Sequence, residues 1–292
     1  MNKLYPELVS ECLRLGEGHV PHEETCVERR PAVFTLKTPS TALYTGDDRR
    51  LNYRFWAVET LGYLAGVDDE WYADLLVDAN PRISRWRNPK TKRFDGAYGP
   101  RLKLSLPGIE ELLRREPDSR QAVASIRPPG MPDSSLDIPC TVALQFLRSA
   151  AGDLDLLVYM RSNDLDWGVP YDVPAFCSLQ AVMAGCLGWP IGTYTHVAGS
   201  LHLYETHRPE FYPHARFASL QVPQLRWSAD NSCEVLIDQA LAFLTSLAVH
   251  RSEGRPWADF GVSVVSGLND DYWRQWVNTV RFSWKAWEEL QK

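Results

Sequence analysis

The stretch from Asp172 to Gly188 constrains this chain most. Val173, Phe176, Cys177, Met183 and Leu187 recur at helical spacing and fall on one face; Pro174 stands in the first turn and Gly188 supplies a stop. An apolar stripe of this kind gains free energy only when other elements cover it. Strands for that purpose lie on either side. Thr141 to Leu147 suits a strand, Ala150-Ala151-Gly152-Asp153 a turn and Leu154 to Arg161 a second strand, while Tyr194 to Tyr204 alternates like a third.

The remaining segments read as helices and loops. Leu8, Val9, Cys12 and Leu13 form a short helical pattern near the N-terminus, closed by Gly16 and Gly18. Tyr53 to Leu64 is helical, with Gly66 as its stop and Glu59 as its one acid. Residues 80 to 107 are rich in Pro, Arg, Lys and Gly and read as a long functional loop. Residues 110 to 114 look helical, Arg120 to Ile126 looks like a short strand, and apolar helices are expected over Val235 to Val249 and Trp273 to Trp287. No internal repeat is visible, and 292 residues fit a single large α/β unit with an ample core.

A formal charge of −6 argues against a general nucleic-acid binder, so an anionic ligand has to meet a local arginine cluster. The six cysteines are scattered without CxxC spacing, and Met1 to Pro6 has no apolar signal core, which together predict reduced thiols and a cytoplasmic location. Leu236 to Val249 is interrupted by Asp238 and Gln239 and reads as an amphipathic core helix too short for a bilayer. No membrane partner is expected. Neither His196, His202 and His207 nor His19, His22 and Cys26 has the close spacing of a zinc site, so no metal is expected.

Four fragments in order carry a family resemblance: Pro139-Cys140, Arg161-Ser162-Asn163-Asp164, Gly168-Val169-Pro170-Tyr171-Asp172 and His202-Leu203-Tyr204. Their joint spacing resembles the thymidylate synthases. The resemblance is good from about Arg120 to His207, fair around Glu59 and Tyr98-Gly99, and poor elsewhere. It implies an α+β fold, a single thymidylate synthase-like catalytic domain over residues 1–292 with a divergent, partly helical region over 208–292. A twisted mixed β-sheet is flanked by helices in such a fold, with the sheet face at a homodimer interface.

The resemblance also implies roles. C5 of a pyrimidine is a poor nucleophile until a thiolate adds at C6, and Cys140 matches the family nucleophile that does this. Arg161 would favour that thiolate and, with Ser162, hold the phosphate; Arg120 would reach it from the partner subunit. Glu59 matches the acid that manages protons around C4 and C5, and Tyr98 the tyrosine supporting proton removal from C5. His202 and Tyr204 match the pair on the sugar 3′-hydroxyl. On the side of 5,10-methylenetetrahydrofolate, Asp164 matches the pterin carboxylate, Gly168 a backbone contact and Tyr171 the aromatic against the ring, with Trp167 in place of a family leucine. The paired family arginines are replaced by Arg120-Gln121 and the N-terminal Arg-Thr-Gly-Thr motif is missing, with Arg30 as a stand-in of unproven spacing.

Asp172 stands where synthases acting on dUMP have Asn. An amide suits uracil's O4 acceptor and N3 donor; a carboxyl suits cytosine, which offers an N4 donor and an N3 acceptor. The competing reading makes Asp172 only a helix N-cap, for which Asp and Asn are nearly equivalent. Ala175 replaces a family Ser, as in the branch that makes hydroxymethyl-CMP for nucleoside antibiotics such as mildiomycin. The expected activity is therefore 5-hydroxymethylation of CMP, or of dCMP, with water taken up at the exocyclic methylene. Ile83-Ser84-Arg85-Trp86 lacks the synthases' Trp-Asp-Glu-Trp, and the last five residues lack their apolar closing residues; both fit a wetter site. A methylating synthase and a silent nucleotide- or RNA-binding regulator are the rivals.

Overall fold

The computed structural model describes residues 1–21, 24–130, 135–206, 208–261 and 271–291. Its N-terminal part contains α1 (Leu4–Leu15), β1 (Glu17–His19), β2 (Cys26–Arg29), β3 (Ala32–Leu36), α2 (Tyr53–Ala65), α3 (Glu70–Ala79) and α4 (Gly99–Arg115). The middle contains β4 (Val123–Ser125), β5 (Thr141–Arg148), β6 (Leu154–Met160), β7 (Asn163–Asp164), α5 (Val169–Leu187), β8 (Ile191–Ala198) and β9 (Leu201–Tyr204). Three helices close the chain: α6 (Cys233–Ser252), α7 (Asp271–Arg281) and α8 (Trp284–Leu290).

α5 is buried around its circumference and not on one face alone, because β6 and β8 cover one side while α2, α4 and α6 cover the others. It also begins earlier than the apolar run suggests. Gly168 takes the cap position, Pro170 fits the first turn, and the Asp172 N–H already donates to the Gly168 carbonyl at 2.8 Å. Asp172 is thus inside the helix, and Pro174 falls in its second turn. The segment read as loop up to Pro107 turns helical at Gly99, where Tyr98 and Pro100 start α4. Pro107 does not stop it. α3 went unread in the sequence.

β3-β8-β6-β5-β4 form a five-stranded sheet that is antiparallel except for the β6/β8 pair, so it is mixed as expected. A second sheet has the order β1-β2-β9-β7. The run from Tyr194 to Tyr204 is two strands in two sheets, broken at Gly199-Ser200. Three chains cross between the sheets side by side: β2 into β3 at Arg30-Pro31, β6 into β7 at Arg161-Ser162, and β8 into β9 at Gly199-Ser200. The Gly199 N–H donates to Met160 O at 2.9 Å and the Asn163 N–H to Ser200 O at 2.8 Å, which stitches two of the crossings together. A β-carbon at Gly199 would lie 2.9 Å from Arg161 O, so the close approach requires glycine there.

α6 runs 20 residues, longer than Leu236 to Val249, and its length and hydropathy match those of a membrane span. Its Leu236, Ile237, Ala240, Phe243, Leu244 and Leu247 are nevertheless buried against α2, α3 and α4. Glu110 of α4 ties it down: one carboxylate oxygen accepts the Cys233 N–H at 2.7 Å, at the start of α6, and the other pairs with Arg114 at 2.7 Å. Trp276 of α7 stacks on Trp56 of α2 at 5.3 Å, so residues beyond 208 share one buried cluster with the rest.

The side of the five-stranded sheet away from α5 is open. Alternation along paired strands sets Val33, Val197, Tyr159, Leu157, Leu147 and Val123 on it, with Val33 61% and Tyr159 43% exposed.

Candidate active site

A cavity of about 210 Å³ opens where the first turns of α4 and α5 meet α2. α2 contributes Glu59 and Tyr63, the start of α4 contributes Tyr98, Trp167 comes from the segment leading into α5, and Tyr171 and Asp172 come from its first turn. Asp137 closes one side, and Ile83, Trp86 and Phe94 make an apolar wall. The local frame is set by hydrogen bonds. Asn52 caps α2 by accepting the Phe55 N–H at 3.2 Å, and its own backbone N–H donates to the Tyr171 hydroxyl at 3.1 Å. Tyr98 stacks on Tyr63 at 5.0 Å and its hydroxyl accepts the Thr141 N–H at 3.4 Å, so it is no exposed loop residue.

Cys140 sits next to that hydroxyl, at the mouth of β5. It is half-buried, whereas the other five cysteines are buried. Arg161 wraps the same loop: its Nε donates to Pro139 O at 3.1 Å, its Nη2 to Ile138 O at 3.0 Å, and its backbone N–H to Cys140 O at 2.8 Å. Burial pushes the Cys140 thiol up, further than Arg161 and Arg127 draw it down, and Asp172 and Asp137 push the same way. Arg161 alone therefore does not make a resting thiolate, contrary to the simple expectation.

The two cavity acids are raised as well. Burial, then the neighbouring Asp172, pushes Glu59 up to about 8, against a hydrogen bond from Tyr63. Burial also raises Asp172 to about 7, with Asn163 hydrogen-bonded to it and Asp164 adding a like charge. Two carboxyls in one enclosed space cannot both ionise readily.

Arg161 leads to a second cluster at the strand crossings. His202 and Tyr204 lie two residues apart on β9, ring edge to face at 5.1 Å, and His202 Nδ1 is 3.5 Å from Ser162 Oγ and 3.4 Å from Ser200 Oγ. Glu28 on β2 and Asp164 on β7 flank His202 directly. Arg30 pairs with Glu28 at the same corner. Asp164 Oδ1 accepts the N–H groups of Asp166 and Trp167 (2.5 and 3.3 Å), and a β-carbon at Gly168 would strike Asn163 Oδ1 at 1.9 Å.

The thymidylate synthase family profile matches residues 47–242, which spans the cavity and all of the second cluster but Glu28 and Arg30. The chain belongs to the thymidylate synthase family. Among curated proteins, a deoxyuridylate hydroxymethyltransferase of Bacillus phage SP01 is 31% identical over 222 residues, covering 69% of this chain and 56% of that protein. The chain thus spans little more than half the length of that relative.

Of the residues that the family pattern singled out, Glu59, Tyr98, Trp167, Tyr171 and Asp172 line the cavity and Cys140 adjoins it. Arg161, Ser162, His202 and Tyr204 gather at the crossings. Ala175 is fully buried and contributes no cavity surface. Arg120 is remote from its own Cys140: it precedes β4, and its carbonyl accepts the Gln145 side-chain N–H at 2.9 Å, five residues along β5 from Cys140, or about 16 Å at roughly 3.3 Å per residue. His22 and His207 lie outside the described residues. His196 is no metal ligand here, since Tyr194 Oη and Asn163 Nδ2 hold its two ring nitrogens at 2.8 and 3.3 Å. Motifs assigned no role to Asp137, Tyr63, Arg127 or Asn163, although Asn163 stands within the Arg161-Ser162-Asn163-Asp164 fragment and Asp137 three residues before Cys140.

The raised Glu59 carries a stability consequence. The unfolded chain ionises this carboxyl near 4.5 and the folded chain only near 8, so its cost to folding is absent at low pH and grows as pH rises between those values. Glu59→Gln is expected to melt with the parent near pH 4.5 and about 5 to 10 °C higher at pH 8, taking on the order of 2 to 4 kcal/mol after discounting for the cavity opening. Thermal melts across that range that superimpose would sink the assignment.

Proposed function

We propose that this protein transfers a one-carbon unit from 5,10-methylenetetrahydrofolate to C5 of a cytidylate and releases the 5-hydroxymethyl nucleotide. The observation that carries the reading is Asp172: an enclosed carboxyl on the cavity wall, close to half-ionised at neutral pH, that takes no part in capping its helix. Its neutral form can donate to cytosine N3 while accepting from N4. Asp172 stands in the first turn of α5 without capping it, and base recognition is the role we assign to this partly buried acid. CMP is our first choice of substrate, on the family resemblance at Ala175 alone since that residue contributes no cavity surface, and dCMP the second.

Cys140 adds to C6 and turns C5 into a nucleophile. Because the resting thiol is raised, its proton leaves as the nucleotide binds, with Arg161 and Arg127 favouring the thiolate. Glu59, held by Tyr63, moves protons at the base, and the Tyr98 hydroxyl helps remove the C5 proton. Arg161 and Ser162 take the phosphate, and His202 with Tyr204 the 3′-hydroxyl. Arg120 would join them from a second copy packed on the open apolar sheet face, since it cannot reach its own site.

The wall around the folate-side residues suits a flat heteroaromatic with an anionic tail. Arg85 lies over Trp86 and Trp167 at 4.1 and 4.8 Å, and Arg49, Arg50 and Arg82 rim an adjoining space with Trp167 and Tyr171. Asp164, Trp167, Gly168 and Tyr171 would hold the folate ring. When bound, methylenetetrahydrofolate supplies the carbon at the oxidation level of formaldehyde.

A second reading, hydroxymethylation of deoxyuridylate, draws on the name of the phage relative. Incubating the protein with CMP, dCMP or dUMP and labelled methylenetetrahydrofolate separates the two. Hydroxymethylcytidylate from CMP is expected; stoichiometric dihydrofolate, or turnover of dUMP alone, would contradict the proposal.

A further inference from the structure

Hydroxymethylation needs a group that takes a proton from water as its oxygen attacks the exocyclic methylene. Neither of the other enclosed acids suits that task. Glu59 is tied to Tyr63 and occupied with the protons of the base, and Asp172 is taken up by the base edge in the reading above. Tyr98 stays a neutral phenol in its buried stack. Asp68, also on the wall, faces Arg93 at 3.6 Å near the surface.

Asp137 differs from all of these. It lines the cavity three residues before Cys140, and its charge bears on both Cys140 and Glu59. Burial raises its carboxyl, against the Gly96 N–H that donates to Oδ2 at 2.9 Å, and Asp95 adds to the rise; a carboxyl so poised can take up a proton and return it. The seating is close: a β-carbon at Gly96 would fall 2.7 Å from Oδ1. Ser135 Oγ braces the turn by accepting the Asp137 N–H at 3.2 Å and donating to Asp95 at 2.9 Å. Among the described residues no cation pairs with Asp137. An enclosed carboxyl without a cation costs free energy that apolar packing would not, which is the mark of a functional acid.

We infer that Asp137 is the general base for the water step, positioned by Gly96 to receive a proton from the water that attacks the C5 methylene. The inference rests on the hydroxymethylase reading. In the step, water oxygen forms a bond to the methylene carbon and its proton passes to the Asp137 carboxylate. The methylene π pair moves into the ring toward C4, and its return expels Cys140 from C6 and restores the 5,6 double bond. Asp137 then returns the proton to solvent. No oxidant or reductant is involved.

Reversal of this step needs no folate, and that supplies the test. The full chain is mixed with 5-hydroxymethyl-CMP in H₂¹⁸O and the 2 Da mass gain of the nucleotide is followed, beside tritium release from [5-³H]CMP. Asp137→Asn keeps an oxygen that can accept the Gly96 N–H, so the loop is retained. The expected result is ¹⁸O exchange slowed by about 10² to 10⁴, with tritium release within a few-fold of the parent. Parent-like ¹⁸O exchange in Asp137→Asn overturns the inference, and so does an equal loss of both reactions, which would mark a merely structural residue. Absence of ¹⁸O exchange in the parent protein itself would instead overturn the hydroxymethylase reading.

Discussion

Cys140→Ala is expected to lower turnover of cytidylate by at least about 10⁴, as loss of a covalent nucleophile does, while the protein melts within a few degrees of the parent. The argument is one of position. Cys140 is the half-buried cysteine among six, at the strand mouth where Tyr98 and Arg161 converge. Its loss leaves a small gap beside an existing cavity. The same exposure makes it the residue that a thiol reagent should reach first, increasingly so as pH rises toward the raised thiol, with bound nucleotide protecting it. Product formation by mass spectrometry, and peptide mapping after iodoacetamide, check both parts. Turnover by Cys140→Ala at more than a hundredth of the parent rate would remove the cysteine from the mechanism.

Asp172→Asn is expected to move the ratio of kcat/KM for cytidylate over uridylate by about 10² to 10⁴ toward uridylate. A site built around a hydrogen-bonding edge rejects the wrong edge by leaving buried polar groups unpaired. Asn has the same shape, but it has no proton to pass to cytosine N3, and with its oxygen accepting from N3–H and its amide donating to O4 it fits the uracil edge. A pH signature accompanies the swap. Asp172 loses its proton near pH 7, so KM for cytidylate in the parent protein should climb as pH rises through 7, and KM for uridylate in the variant should stay level there. An unchanged base ratio would return Asp172 to a structural role.

Much of the fold was legible in the chain. The α2 helix ends at Gly66 with φ +75° and α5 at Gly188 with φ +72°, as their glycines announced, because only a residue without a β-carbon takes that conformation freely. The β5–β6 hairpin followed from alternation and its turn residues. What alternation could not reveal was the break at Gly199-Ser200: a period of two continues unchanged when a strand passes from one sheet to the next, so partners alone distinguish β8 from β9. α4 was hidden for a related reason, since Gly99, Pro100, Pro107 and Gly108 speak for a loop until the cover of α2 and β4 outweighs their low propensity.

By itself, then, the sequence determined the family, through residue types at set spacings, and with it the carbon at which a nucleophile such as Cys140 would act. The tertiary structure decided the state of each group. Burial raised Cys140, Glu59 and Asp172 together; helix geometry took Asp172 out of its capping role; a loop brought Asp137 to the cavity; and strand pairing set Arg120 beside Gln145, away from its own Cys140. Protonation depends on desolvation and on charges contributed by distant segments, and these exist only once the chain has closed around them.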